Sequence, residues 1–367
     1  MSQLQVNRIN DASGGVLAPI SSVMRNRIIN GAMVIDQRNA GASVTPSTSI
    51  PTYIVDRFIA YQDAASKFSV QQDAGAVTPP AGFNDYLGAT SLSAYTVTSG
   101  QLFILQQQIE GYNVADLNWG TANAKTVTLS FWVRSSLTGT FGGSLRNSAG
   151  NRSYPYSYTI TSANTWEQKS ITITGDTTGT WLVTNGIGIS CSWGLGVGST
   201  FSGTAGAWAA GNFFAPTGAT SVVGTNGATF YITGVQLEVG TQATSFEYRQ
   251  YQQELALAQR YFHKVTANTG NNYMGIGTGV NTGTSTADII CPLPVTMRAT
   301  PSASFTGDIY CYDGFTAPLL SSISAVYGGF YSIYIGVAHA GGSSAGRGIA
   351  FYTRNTAASS FSFSAEL

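Results

Sequence analysis

The side chains best placed to do chemistry in this chain are aromatic rings with polar neighbours. In residues 125–135, Val127, Leu129, Phe131 and Val133 share one parity. Trp132 and Arg134 fall on the other, polar parity. An indole beside a guanidinium suits a pyranose: the ring stacks on the apolar sugar face and the cation fixes a hydroxyl. Tyr154, Tyr156 and Tyr158 also share a parity and form a stripe, and Pro155 favours an edge strand. These five residues are the candidate glycan contacts. Trp181, Trp193 and Trp208 are further rings of the same kind. Packing under loops or at a subunit interface is the competing use for each.

Catalysis has much less to work with. The two histidines are His263, near a helix end, and His339, in a glycine-rich turn. Neither neighbours a serine or cysteine motif that suggests a triad. His263 there would favour a helix C-terminus. Glycoside hydrolysis needs two carboxylates about 5–9.5 Å apart. Glu110 with Asp116, or Asp63 with Asp73, are nominal pairs, but solvated turn acids explain them as well. No zinc, Walker or dinucleotide motif is present. The expectation is a non-enzyme with no catalytic residue, no cofactor and no dedicated metal site, apart from a calcium ion that Asp176 could attract.

Composition narrows the class. Charged residues are 9% of 367 and cancel at 17 basic against 17 acidic, while aromatics reach 12%. Ordinary soluble domains carry about 25% charge. A surface solvated by small polar residues favours sheets and turns over long helices. A neutral chain without a basic stripe argues against nucleic acid and against membrane surfaces. Few charges also suggest that partners cover part of the surface. No run approaches the ~20 apolar residues of a membrane span. The N-terminus shows no apolar leader, and Cys191, Cys291 and Cys311 make an odd set. Both fit synthesis in a reducing host cytoplasm.

The elements that must position these residues are mostly short strands. Residues 1–25 read as a separate arm, in which Leu4, Val6 and Ile9 form one short strand and Arg8, Arg25 and Arg27 make this end basic. Residues 26–243 alternate strands with turn clusters, as a jelly-roll β-sandwich does. Residues 101–109 are a continuous apolar run, 180–190 a further strand, and 194–227 a long loop or weak hairpin. In residues 228–239 the apolar parity switches at Thr233 and Gly234, where a bulge restores one buried face. Residues 244–264 then read as the single linker helix, with Thr244 and Glu247 as a capping box. Tyr248, Tyr251, Leu255, Ala258 and Phe262 recur at coiled-coil spacing and are the candidate oligomer interface, against the alternative of a helix lying on its own sandwich. A start as late as Tyr251 would shorten this stripe. Residues 265–367 repeat the strand grammar as a second, smaller C-terminal β-sandwich. There residues 330–337 carry apolar or aromatic side chains on both parities, as a strand covered on two sides would.

Three segments carry a resemblance. LQVNRINDASGG resembles the N-terminal segments of tailed-bacteriophage fibre proteins. NRIINGAMVIDQRNAGASV, with YIVDRFIA and SKFSVQQ, resembles the opening of a sandwich domain common in them, and ATFYITGVQLEVGTQATSFEYRQYQQELALAQRYF its closing strand and helix. The stretch holding LSFWVRSS and SITITGDTTGTW is similar to jelly-roll carbohydrate-binding modules. The resemblance implies a virion fibre or receptor-binding protein. It implies a homotrimer attached to other virion proteins by its arm and binding host cell-surface polysaccharide. Two alternatives stay open: a capsid-attached head fibre or decoration protein, and a glycan-degrading tailspike enzyme.

Overall fold

The computed structural model describes residues 9–10, 16–18, 24–267, 273–329, 331–353 and 359–367. They divide into two compact units, 1–249 and 250–367. In the arm, β1 (Ile9–Asn10) pairs antiparallel with β2 (Val16–Ala18). Leu4, Val6 and Arg8 lie outside the described residues, as does Phe330.

The first unit is a jelly-roll sandwich. Its strands are β3 (Thr52–Tyr53), β4 (Phe58–Gln62), β5 (Phe68–Gln72), β6 (Leu87–Ser91), β7 (Leu102–Glu110), β8 (Val127–Ser135), β9 (Gly139–Arg146), β10 (Ser153–Ile160), β11 (Glu167–Ile173), β12 (Ile187–Val197) and β15 (Thr229–Val239). A small parallel pair, β13 (Ser202–Gly203) and β14 (Ala215–Pro216), lies within the segment expected to be loop. The larger sheet runs β10-β9-β12-β7-β4-β3 and the facing one β11-β8-β15-β6-β5. Between them pack Phe58, Phe103, Phe131, Phe141, Trp193 and Phe230, each fully buried. Burying such a side chain stabilises by about 2–3 kcal/mol.

The parity switch in β15 is a bulge. Pairing with β8 steps from Thr233↔Trp132 to Gln236↔Ser130, and Gly234 takes φ +61°. Phe230 and Ile232 before it, and Val235 and Leu237 after it, all reach the core. Past the bulge β15 leaves β6 and takes the segment after the arm instead: Arg27 N–H donates to the Leu237 carbonyl, and Val235 N–H to that of Gly31. The expected strand over 180–190 starts only at Ile187, because Trp181 is drawn into an aromatic cluster with Trp119 and Trp208.

The helix is shorter than the pattern suggested. α1 is Tyr251–Gln259, and it opens the second unit rather than standing as a separate linker. The capping box does not form, because both of its side chains are spent on β15 and the segment beside it. Thr244 Oγ1 donates to Glu238 Oε2 at 2.7 Å, and Glu247 Oε2 accepts from Asn26 N–H at 2.9 Å. Glu247 N–H also donates to Gln236 Oε1, which holds this segment against the strand. The continuous helical stripe therefore does not exist. Tyr248 lies before the helix against Phe83 and Phe246, Phe262 lies after it in a strand, and Ala258 is buried. Tyr251 is exposed and Leu255 half-buried.

In the second unit, β16 (Phe262–Thr266), β24 (Ser360–Ser364) and β19 (Ser302–Thr306) form one sheet. The other contains β17 (Met274–Asn281), β18 (Thr286–Pro292), β20 (Ile309–Tyr312), β21 (Leu320–Gly328), β22 (Ser332–His339) and β23 (Gly348–Thr353), in the order β20-β23-β17-β18-β22-β21. Ile289, Cys291, Cys311, Ile333, Ile335 and Phe361 fill the core between them. The strand expected to be covered on both sides is covered on one: Ile333, Ile335 and Val337 are buried, while Tyr334 is 37% exposed. His263 is not a helix-end cation. It sits in β16 stacked on Phe363, and burial lowers its pKa.

Candidate functional site

The structure splits the five predicted glycan contacts. Tyr154, Tyr156 and Tyr158 do share a face of β10, and β10 is an edge strand, but that face is the core. Tyr158 packs against Phe131 and Phe141, Tyr154 against Trp208, and Tyr156 donates to the Ser192 carbonyl at 2.7 Å. These rings are therefore withdrawn as sugar platforms. Period-2 parity tells which residues share a side but not which side is buried.

Trp132 and Arg134 do turn outward, on the five-stranded sheet. Arg134 lies 5.4 Å from the Tyr231 ring, beside a cluster in which Tyr231, Tyr86 and Trp166 meet edge to face or tilted. Trp132 stands opposite Gln168 on the edge strand β11. Gln168, Lys169 and Ser170, with Ala243, Thr244 and Ser245, line a groove of about 370 Å³. On the same face Phe83, Phe246 and Tyr248 form a triad with centroids 5.0–5.6 Å apart.

A more tightly built site lies on the outer face of the six-stranded sheet. β7 sends Phe103, Leu105 and Ile109 to the core, so Gln106 and Gln108 point out. Register places Gln108 beside Ser190 of β12 and Arg146 of β9, and Gln106 beside Ser192 and Ser144. The face is largely covered: Gln106 is 7% exposed, Arg146 8% and Ser190 3%, and Ser192 Oγ donates to the Phe214 carbonyl of the segment packed over it. Phe214 closes one side. Its ring lies 3.5 Å under the Arg146 guanidinium, and it packs with Leu102 and Ile104, against which Tyr61 and Phe201 also lean. Asn212 Oδ1 accepts from Arg146 Nη1, and burial pulls the Arg146 pKa down to about 10. Gln106 Nε2, Gln108 Oε1 and Arg146 Nε have no hydrogen-bond partner.

That set is chemically specific. A buried donor or acceptor left unpaired costs about 1–3 kcal/mol, so a ligand that reached these buried atoms by displacing the segment over them would recover that amount. Two donors and one acceptor on a rigid sheet, beside an aromatic wall, match a molecule whose hydroxyls both give and accept. Sequence reading passed over these residues because 101–109 looks like uninterrupted interior. The shared parity of Gln106 and Gln108 was the available signal.

The other nominated groups are occupied. Asp176 gives both carboxylate oxygens to Arg152 at 2.7 Å, which leaves no calcium site there. Asp116 pairs with Arg27, Asp63 accepts from Ser49 and Tyr61, and Asp73 accepts from the Tyr86 N–H. Glu110 is 1% exposed. His339 is buried and accepts from Gly341 N–H. Among the described residues no three His, Cys, Asp or Glu side chains cluster to hold a metal, and no helix is long and apolar enough to cross a membrane.

No protein-family model matches the chain, and no curated protein does. Among solved structures it is similar to a putative sugar-binding protein from Bacteroides thetaiotaomicron, at 11% identity and TM-score 0.34 over 59% of this chain and all (100%) of that one. It is similar to the enzymatically active domain of a bacteriophage CBA120 tailspike at 13% identity and TM-score 0.30, over 60% of this chain and 22% of that one. It is also similar to the family 11 carbohydrate-binding module of a Clostridium thermocellum cellulosomal cellulase, at 12% identity and TM-score 0.26, over 56% and 99%. Likeness at this level says nothing of what this chain binds.

Proposed function

We propose that the first unit binds a surface glycan in the recess of Gln106, Gln108, Ser190 and Arg146, and that the chain is a non-enzymatic virion fibre of a tailed bacteriophage. The observation that carries the binding is the set of unpartnered, buried polar atoms on one sheet face beside Phe214. The groove at Gln168 and Ser170, with Trp132 across from it, lies on the opposite sheet and is the competing place for a ligand. The fibre reading rests on the resemblance of the arm and of the strand-to-helix junction to phage fibre segments. Several copies would act through avidity, since weak contacts engaged together bind far more tightly than any one.

A glycan microarray with purified protein tests the binding. Gln106→Ala should weaken a positive glycan roughly 5- to 150-fold, the equivalent of one buried hydrogen bond of about 1–3 kcal/mol. Equal binding by wild type and variant removes the recess from the account. Release of reducing sugar from host polysaccharide would favour the tailspike enzyme. Normal infection by particles lacking the protein would favour a decoration. Light scattering tests the homotrimer: a mass of one chain, 38.5 kDa, contradicts it. Tyr251→Asp with Leu255→Asp is the fitting variant, because Phe262 lies beyond the helix in β16 and is buried.

A further inference from the structure

The six-stranded sheet of the second unit gives one face to its core and leaves the other open. Register aligns a row straight across that open face: Tyr312, Ala350, Thr278, Ile290, Tyr334 and Tyr327. Tyr312 is 41% exposed, Ile290 57%, Tyr334 37% and Tyr327 63%. At a strand spacing of about 4.8 Å the row spans about 24 Å. Beside Tyr312, Tyr310 and Tyr352 stack at 6.2 Å with 16° between planes. The neighbouring row is Gly348, Val280, Asp288 and Gly336. Asp288 is the one ionisable carboxylate in these two rows, and the Tyr334 hydroxyl bonds to it.

We propose that this face is a second saccharide-binding surface, for an uncharged polysaccharide laid across the strands. The proposal rests on the glycan reading given above. A charged ligand would need opposite charges, and neither row carries a lysine or arginine. A permanent subunit contact would be richer in aliphatic side chains, as obligate interfaces are. These rows hold three tyrosines among Ala, Thr and Gly with only two aliphatic side chains, Ile290 and Val280, and tyrosine-led surfaces meet external ligands with broad ring contact at low conformational cost. The rings stand on paired strands, so little order is lost on binding.

Affinity electrophoresis of the full chain in gels containing dextran, mannan or amylose tests this, with alginate as the anionic comparison. At least one neutral polymer should retard the wild type while alginate does not. Tyr312→Ala with Tyr334→Ala should weaken retardation roughly tenfold, as two lost ring contacts of about 0.5–1.5 kcal/mol each predict. Tyr327→Ser, at a more exposed position, gives a milder loss and guards against misfolding of the double variant. Full retardation of both tyrosine variants, or none of the wild type in any neutral polymer, overturns the proposal. If Gln106→Ala alone abolishes retardation, the recess stands and this face falls. If only the tyrosine variants lose it, the reverse holds. A drop in assembly mass in the tyrosine variants would make the face a contact between copies and would also overturn the proposal.

Discussion

Replacing Gly234 with alanine should unfold the first unit at a much lower temperature. Gly234 sits at φ +61°, where an L-residue pays about 1–2 kcal/mol. Its new Cβ would lie 2.6 Å from Phe83 Cζ and 3.1 Å from Trp132 Cδ1. Overpacking of this kind costs about 1–3 kcal/mol, and Phe83, being half-buried, can swing to relieve part of it. The expected loss is therefore about 2–4 kcal/mol, or roughly 5–15 °C in Tm for a unit of this size. All six tryptophans lie within residues 1–249, so indole fluorescence on heating reports this unit alone. Deleting Gly234 should be worse, because a one-residue slip turns Val235 and Leu237 from the core to the outer face. A Gly234→Ala protein melting within about 1 °C of wild type would refute the bulge as the device that closes this sandwich.

Tyr158→Ala should cost about 3–5 kcal/mol, as for other large core truncations, while folded protein binds glycan normally; lost binding with unchanged Tm would return Tyr158 to the surface. All three thiols are free and buried, and burial raises each pKa, to about 12 for Cys291 and Cys311. Alkylation at pH 8 should need denaturant, and reductant should leave Tm unchanged. Burial opposes the charge of Glu167, but Lys169 and the N–H groups of Ser162 and Thr161 outweigh it and hold the carboxyl at about 2. Its stabilisation is then present above its ordinary value near 4.5 and lost as pH falls through 2. Glu167→Gln should lower Tm at pH 7, with the deficit shrinking below pH 4.5 and vanishing only below pH 2, and an undiminished deficit at pH 2 would contradict that.

How far the sequence could be read depended on the kind of signal. The parity switch at Thr233 and Gly234 located a bulge because both halves of the strand carry large apolar residues. Pro155 marked an edge strand because it has no N–H to give a neighbour. The helix was read too long because Thr244 and Glu247 fit a capping pattern, and spacing cannot show that Glu238 and Asn26 claim them first. The recess was hidden for a different reason. Gln108, Ser190 and Arg146 lie on strands far apart in sequence, and only the crossover order β7-β12-β9 makes them neighbours. The row from Tyr312 to Tyr327 is assembled in the same way, from residues on six strands.

The most direct test of the glycan account is NMR of the side-chain amide groups of Gln106 and Gln108 during titration with a glycan that the protein binds. Assignment follows from loss of each signal in Gln106→Ala and Gln108→Ala. The account predicts that both amide signals shift together and saturate with the binding curve, as unpaired Gln106 Nε2 and Gln108 Oε1 gain partners. Saturable binding in which both signals stay still, with shifts confined to the Trp132 indole, would place the ligand on the other sheet and contradict it.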